Sequence, residues 1–344
     1  MTMSTGIISC GVYIPRLRIK REEYQKAWGY FAPRGVEEKS VSDFDEDSVT
    51  MAVEAASNAL RNAQAEPSKI DSLYFGSTSP EYAEKQNAST IATALGCRSN
   101  TVTLDVTSST RCGTSALLSC MDFVASGRGK CGLVVASDCP LADPSGPIEH
   151  QFGAGAAALV IGNEQLGAVF DGSSSIVSES LGERFRRDGD KYVSALDLGR
   201  YHEVLSDEVV TSCTKDLLDK LGRSTKDYDW FLLQGLGDAR ALELSRKLGF
   251  EDKKINPSMF SAMIGDVGAA SPFLALSKIL ESALPKQHVI LCSYGPGGGA
   301  DAVSFLVERE MKPTAGFGYE DYLARKEYVD YTTYLKLRKM FTKI

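Results

Sequence analysis

The chain has 344 residues, 43% of them hydrophobic and 24% charged, which is enough for one large domain or two similar ones. A net charge of -7 argues against a nucleic-acid partner, because such proteins are normally basic. No apolar run approaches the roughly 20 residues that span a bilayer, and Met1–Gly6 has no basic segment leading into an apolar one, so a cytoplasmic chain with no membrane partner is expected. Eight cysteines without a CxxC pair, most in apolar or small-residue stretches, read as reduced thiols. Three histidines are too few to suggest a metal site.

In chain order, the segment from Asn58 to Phe75 reads as the end of an apolar-faced helix, a polar turn at Pro67–Lys69, then a strand. The segment Leu104–Leu117 reads as a strand ending in a tight turn and then the start of a buried helix, which runs from Ser115 to Ala125. A strand follows at Cys131–Ala136. Asp216–Leu233 repeats the helix–turn–strand pattern of Asn58–Phe75 without a gap, placing Asp229 on Asp71 and Leu218 on Leu60. Pro272–Ala283 and His288–Cys292 repeat the second helix and strand, with Pro272 suited to a first helical turn. Two such halves with near-continuous apolar strands predict an α/β fold of mixed, mostly parallel sheets covered by helices. The boundaries are 1–165 and 166–310, followed by a Tyr-rich, basic tail at 311–344 that carries Lys336, Arg338, Lys339 and Lys343 and packs on the core or on a partner.

Motifs along nearly the whole chain resemble the thiolase superfamily, most closely the archaeal-type 3-hydroxy-3-methylglutaryl-CoA (HMG-CoA) synthases. They include Gly6–Pro15, Gly76–Ala83, Asp105–Thr114, Gly153–Gly162, Arg186–Tyr192, Tyr294–Asp301 and Tyr328–Lys336. The resemblance implies a thiolase-like fold, with two duplicated αβ halves stacked and helices between their sheets. It also implies acyl-CoA chemistry: a Cys accepts the acyl group, a His and an Asn position the second substrate, and a Glu moves the proton.

Matched one at a time, these positions hold other residues. The Cys falls on Thr110, five residues after Asp105 and just before Arg111-Cys112-Gly113-Thr114; the Glu falls on Thr78, the His on Gln234 and the Asn on Asp266. A threonine hydroxyl is a poor acyl acceptor without a base, and Gln never carries charge. A carboxylate at 266 would repel a thiolate or an enolate. Cys112 is an alternative nucleophile, but two helical residues turn about 200°, so it should point away from Thr110. The loop at Gly297 and Gly298 either supplies oxyanion-binding amides or permits tight packing. Arg186, Arg187 and Lys191 either contact a CoA phosphate or form a solvated charged loop.

The pattern is similar to the ketosynthase-like subunit of bacterial monoacetylphloroglucinol acetyltransferase. That likeness implies a silent subunit in an acyltransferase complex, with a thiolase-like catalytic subunit and an OB-fold/zinc-ribbon bridging protein as partners, in secondary metabolism. Alternatives are an active acyltransferase acylated on Thr110 or Cys112, and a protein that binds acyl-CoA or polyketide without reacting. No permanent cofactor is expected, a CoA thioester being the ligand. A homodimer through the edge strand Thr101–Leu104 is expected.

Overall fold

A computed structural model describes residues 4–29, 35–314 and 316–341; Met1–Met3 and Lys343 lie outside them. The first half runs β1 (Gly6–Tyr13), β2 (Leu17–Lys20), α1 (Arg21–Trp28), β3 (Glu38–Val41), α2 (Ser48–Ala63), β4 (Ser72–Gly76), α3 (Asn87–Leu95), β5 (Val102–Val106), α4 (Cys112–Ala125), β6 (Cys131–Asp138) and β7 (Gly155–Gly162). The second contributes β8 (Ala168–Ile176), α5 (Arg200–Leu221), β9 (Trp230–Gln234), α6 (Asp238–Leu248), α7 (Asp252–Ile255), α8 (Ser261–Ile264), α9 (Ser271–Leu280), β10 (His288–Gly295) and β11 (Gly299–Val307). The last segment forms α10 (Tyr319–Ala324), β12 (Glu327–Tyr328) and α11 (Tyr331–Leu337).

Nine strands lie in the order β5-β4-β6-β7-β1-β8-β11-β10-β9. The order reads as two copies meeting at the short antiparallel β1–β8 ladder, where Gly6 faces Val169 and Ile7 faces Ala168. Parallel ladders occupy the two flanks, β5–β4–β6 and β9–β10, and antiparallel ones the centre. The duplicated aspartates do the same work in each copy. Asp71 accepts from the Lys130 amide at 2.8 Å and Asp229 from the His288 amide at 2.8 Å, tying the start of each flanking strand to the next.

Helices α4 and α9 lie in the core that joins the halves: Leu117 and Val124 of α4 cluster with Phe273 and Leu276 of α9 and with strand residues of both copies. The structure therefore has the stacked, helix-centred arrangement expected of a thiolase-like fold. On the opposite face of the first copy, α2 begins with a capping box, Asp47 accepting from the Thr50 amide at 2.7 Å and Thr50 Oγ1 from the Asp47 amide at 2.8 Å. Its buried stripe includes Ala52, Ala55, Ala56 and Ala59, so it sits close on β1; a Cβ on Gly11 would lie 2.2 Å from the Ala59 nitrogen.

Helix α4 starts at Cys112, earlier than the predicted Ser115, because the small residues Cys112 and Gly113 let the first turn press against neighbouring backbone. The tail packs on its own chain. Tyr319, Tyr322, Tyr331 and Tyr334 are buried, the Tyr331 hydroxyl donates to Glu149 at 3.0 Å, and Arg338 donates to the Cys139 carbonyl at 2.7 Å. All eight cysteines are free thiols. Among the described residues, no helix is long and apolar enough to cross a membrane, and no cluster of His, Cys, Asp or Glu could hold a metal ion.

Candidate active site

Strand ends and the turns after them bring the four matched positions to one region. Thr78 follows β4, and Thr110 lies in the turn between β5 and α4, two residues after Ser108, whose φ is +78°. Gln234 ends β9, and Asp266 follows α8. Thr78 and Thr110 line a cavity of about 230 Å³. Gln234 and Asp266 line a larger one of about 420 Å³. The two share Arg184, Val193 and Pro296 as a common wall.

Each of the four side chains has a distinct environment. The Thr78 hydroxyl donates to Asp138 Oδ2 at 2.9 Å and its amide to Oδ1 at 2.8 Å. Asp138 is fully buried and also accepts from Ser77, Ser79 and the Ala269 amide, so it is the anchor of the whole loop after β4. Thr110 is 6% exposed and its hydroxyl has no hydrogen-bond partner. Gln234 is buried and donates weakly to the Ser258 carbonyl at 3.4 Å. Asp266 accepts from Arg184 at 2.7 Å, from the Gly268 amide at 2.8 Å and from Ser271 at 3.3 Å. The repulsion expected from a carboxylate at 266 is thus offset by a guanidinium pressed against it, which also lies over the Phe152 ring at 4.6 Å.

Arg184 is not among the residues the sequence singles out. The basic loop legible in the sequence starts at Arg186; Arg186 and Lys191 line a further cavity of about 340 Å³ together with Thr78, Arg338 and Lys339, and Arg187 does not line it. Arg186 lines the smaller cavity and donates to the Thr78 and Asp190 carbonyls, both at 3.2 Å. Arg187 turns onto the Phe185 ring, and Lys191 donates to the Lys339 carbonyl at 2.5 Å. Arg184 lies in a bend two residues before Arg186, and no local pattern in the sequence marks it.

Cys112 lies in the core between the halves, 2% exposed. Burial first, and the neighbouring Asp138 charge second, push its thiol well above the ordinary range, so it is not poised as a thiolate. Gly297 and Gly298 line neither cavity, and the Gly298 amide already donates to the Gly295 carbonyl at 2.8 Å. A Cβ on Gly298 would meet Ser109 Oγ at 2.9 Å, and Gly297 has a φ of +73°, a conformation that favours glycine.

No family model matches the sequence. Among curated proteins, the chain is 32% identical to the hydroxymethylglutaryl-CoA synthase of Pyrococcus horikoshii over 98% of its own length and 96% of the relative's. It is 35% identical to that of Aeropyrum pernix over 97% and 94%. Among solved structures, MvaS in complex with 3-hydroxy-3-methylglutaryl coenzyme A superposes with a TM-score of 0.87 at 23% identity, over 98% of this chain and 92% of the other. The HMG synthase of the curacin pathway, in complex with an acetyl-donor ACP, superposes at 0.83 and 19% identity over 97% and 88%. Near-complete coverage at this identity, together with the shared fold, places the chain in the hydroxymethylglutaryl-CoA synthase family.

Proposed function

We propose that the chain is a catalytically silent HMG-CoA synthase-like subunit that binds a CoA thioester and supports C-acyl transfer within a larger assembly. The carrying observation is the pocket itself, in which the four catalytic positions of the resembled family fall on Thr78, Thr110, Gln234 and Asp266 around adjoining cavities. No thiol or imidazole stands at these positions, and Asp266 is held in an ion pair. A subunit of this kind needs a partner that carries the nucleophile, a thiolase-like subunit by the likeness to the acetyltransferase complex, with an OB-fold/zinc-ribbon protein bridging the two. Exposed apolar side chains on the segment after β8 favour such contacts: Val177 is 85% exposed and Leu181 63%. The test is intact-protein mass spectrometry after incubation with acetyl-CoA and acetoacetyl-CoA. No covalent adduct is expected; a stoichiometric acyl adduct would overturn the proposal, and peptide mapping would identify the acylated residue.

A second reading, an enzyme with altered chemistry, is favoured by one observation: the four matched positions, Thr78, Thr110, Gln234 and Asp266, stay polar and border open cavities. On that reading Asp266→Ala abolishes turnover by the chain alone. The silent-subunit reading expects no turnover from the chain alone before or after the substitution.

A further inference from the structure

We propose that the hairpin 185–194 is a gate on the candidate site, and that the end of the chain's own C-terminal segment is the strap that holds it in place. The inference concerns access to the cavities and stands on either chemical reading above. The hairpin is their common partition. Val193 lines the cavities of about 420, 340 and 230 Å³, and Arg186 lines the latter two. Arg184, at the hairpin's base, and Val193 wall both cavities that hold the matched positions, so displacing the hairpin opens the passage between them.

The hairpin has little structure of its own. One bridge pairs Phe185 with Ser194, each amide donating to the other's carbonyl, at 2.9 and 2.8 Å, and residues 186–191 are all exposed. A single ladder pair beneath an exposed turn opens locally at small cost unless other segments hold it. The C-terminal segment supplies much of that hold. Tyr192 packs against the apolar cluster that contains Tyr331, Tyr334 and Met340, and Lys191 donates to the Lys339 carbonyl at 2.5 Å. The Val193 amide donates at 2.8 Å to the carbonyl of Leu141, whose side chain packs on the same cluster. The segment is in turn pinned to the first half, where Arg338 donates to Ser42 Oγ and, at 2.7 Å, to the Cys139 carbonyl. Leu337, Arg338 and Lys339 then form part of the wall of the 340 Å³ cavity beside Arg186 and Lys191. The end of the chain thus grips the core with one residue and the hairpin with the next.

The test is hydrogen exchange followed by mass spectrometry on the full chain, in Lys191→Met and Arg338→Met. Each is also made in a Thr110→Cys background, where alkylation of the introduced thiol by iodoacetamide reports access to the site. Peptides covering 185–194 are expected to exchange about tenfold faster in both variants, the effect of losing one or two hydrogen bonds, while β10 peptides keep the parent rate. The introduced thiol is expected to react at least about threefold faster in the same variants, since a more open hairpin exposes it more often. Arg187→Met removes an equal charge from the hairpin without touching the C-terminal segment and is expected to change neither rate. Lys191→Met decides the matter if loss of Arg338 unsettles the fold, because the Lys191 side chain is exposed. Unchanged exchange at 185–194 in Lys191→Met, an equal rise in Arg187→Met, acceleration that spreads equally to β10, or an unchanged alkylation rate would each overturn the proposal, and none of them bears on the silent-subunit reading.

Discussion

Thr110 carries most of the functional reading, because one atom type decides whether an acyl-enzyme can form. A thiol at a helix N-terminus ionises readily, whereas a hydroxyl does not. Thr110→Cys should therefore gain a thiol that iodoacetamide alkylates at least about tenfold faster than Cys112, since the turn before α4 favours a thiolate while burial holds the Cys112 thiol protonated. Equal rates in native protein would mean that position 110 is not where the chemistry would occur. The Cys112 side chain contributes packing instead: Cys112→Ala should cost about 1 kcal/mol, a small core truncation, measured by urea unfolding.

Between elements, the tail is held by a buried polar cluster. Lys39 donates to the Glu149 carbonyl at 2.6 Å and to the Tyr334 hydroxyl at 3.1 Å, and His150 packs edge-on against Tyr24 at 4.5 Å. Burial first, and the Lys39 charge second, lower the His150 pKa to about 3 from 6.5. Between those values the unfolded chain takes a proton that the folded chain refuses, so His150 makes stability fall as pH drops below about 6.5. His150→Gln removes this contribution. The stability of the parent relative to the variant should decrease by about 2 kcal/mol between pH 6.5 and 5, at about 1.36 kcal/mol per pH unit. Parallel pH profiles in chemical denaturation would show that the ring titrates normally.

For the molecule as a whole, β5 is the edge of the nine-stranded sheet, and Val102 and Leu104 on it are 40% and 41% exposed. An apolar edge strand invites pairing with a second copy. The parent should sediment as a dimer and Val102→Glu as a monomer at micromolar concentration; a dimer that survives the added charge would move the interface elsewhere. The same sheet accounts for the site's position, since flanking strands of both copies end on the cavity side, one at the loop of Thr78 and one at Gln234.

Much of this was legible in linear order. The repeat that puts Asp229 on Asp71 predicts two copies, and the structure has both aspartates binding the next strand's amide. Strand, turn and helix around Thr110 follow from local pattern, and so does the identity of the residue there. Helix starts were less legible, because burial against Gly76 and Ala269, far away in sequence, lets α4 begin at Cys112. The rest depended on the tertiary fold. Arg184 and Asp266 are 82 residues apart, and nothing local to either announces the other. Asp138 reads as an ordinary strand end until the fold gathers its donors around it. Residue type and periodicity are properties of the chain; neutralisation of a charge, burial of a thiol and a buried, unpaired hydroxyl arise only when distant segments meet.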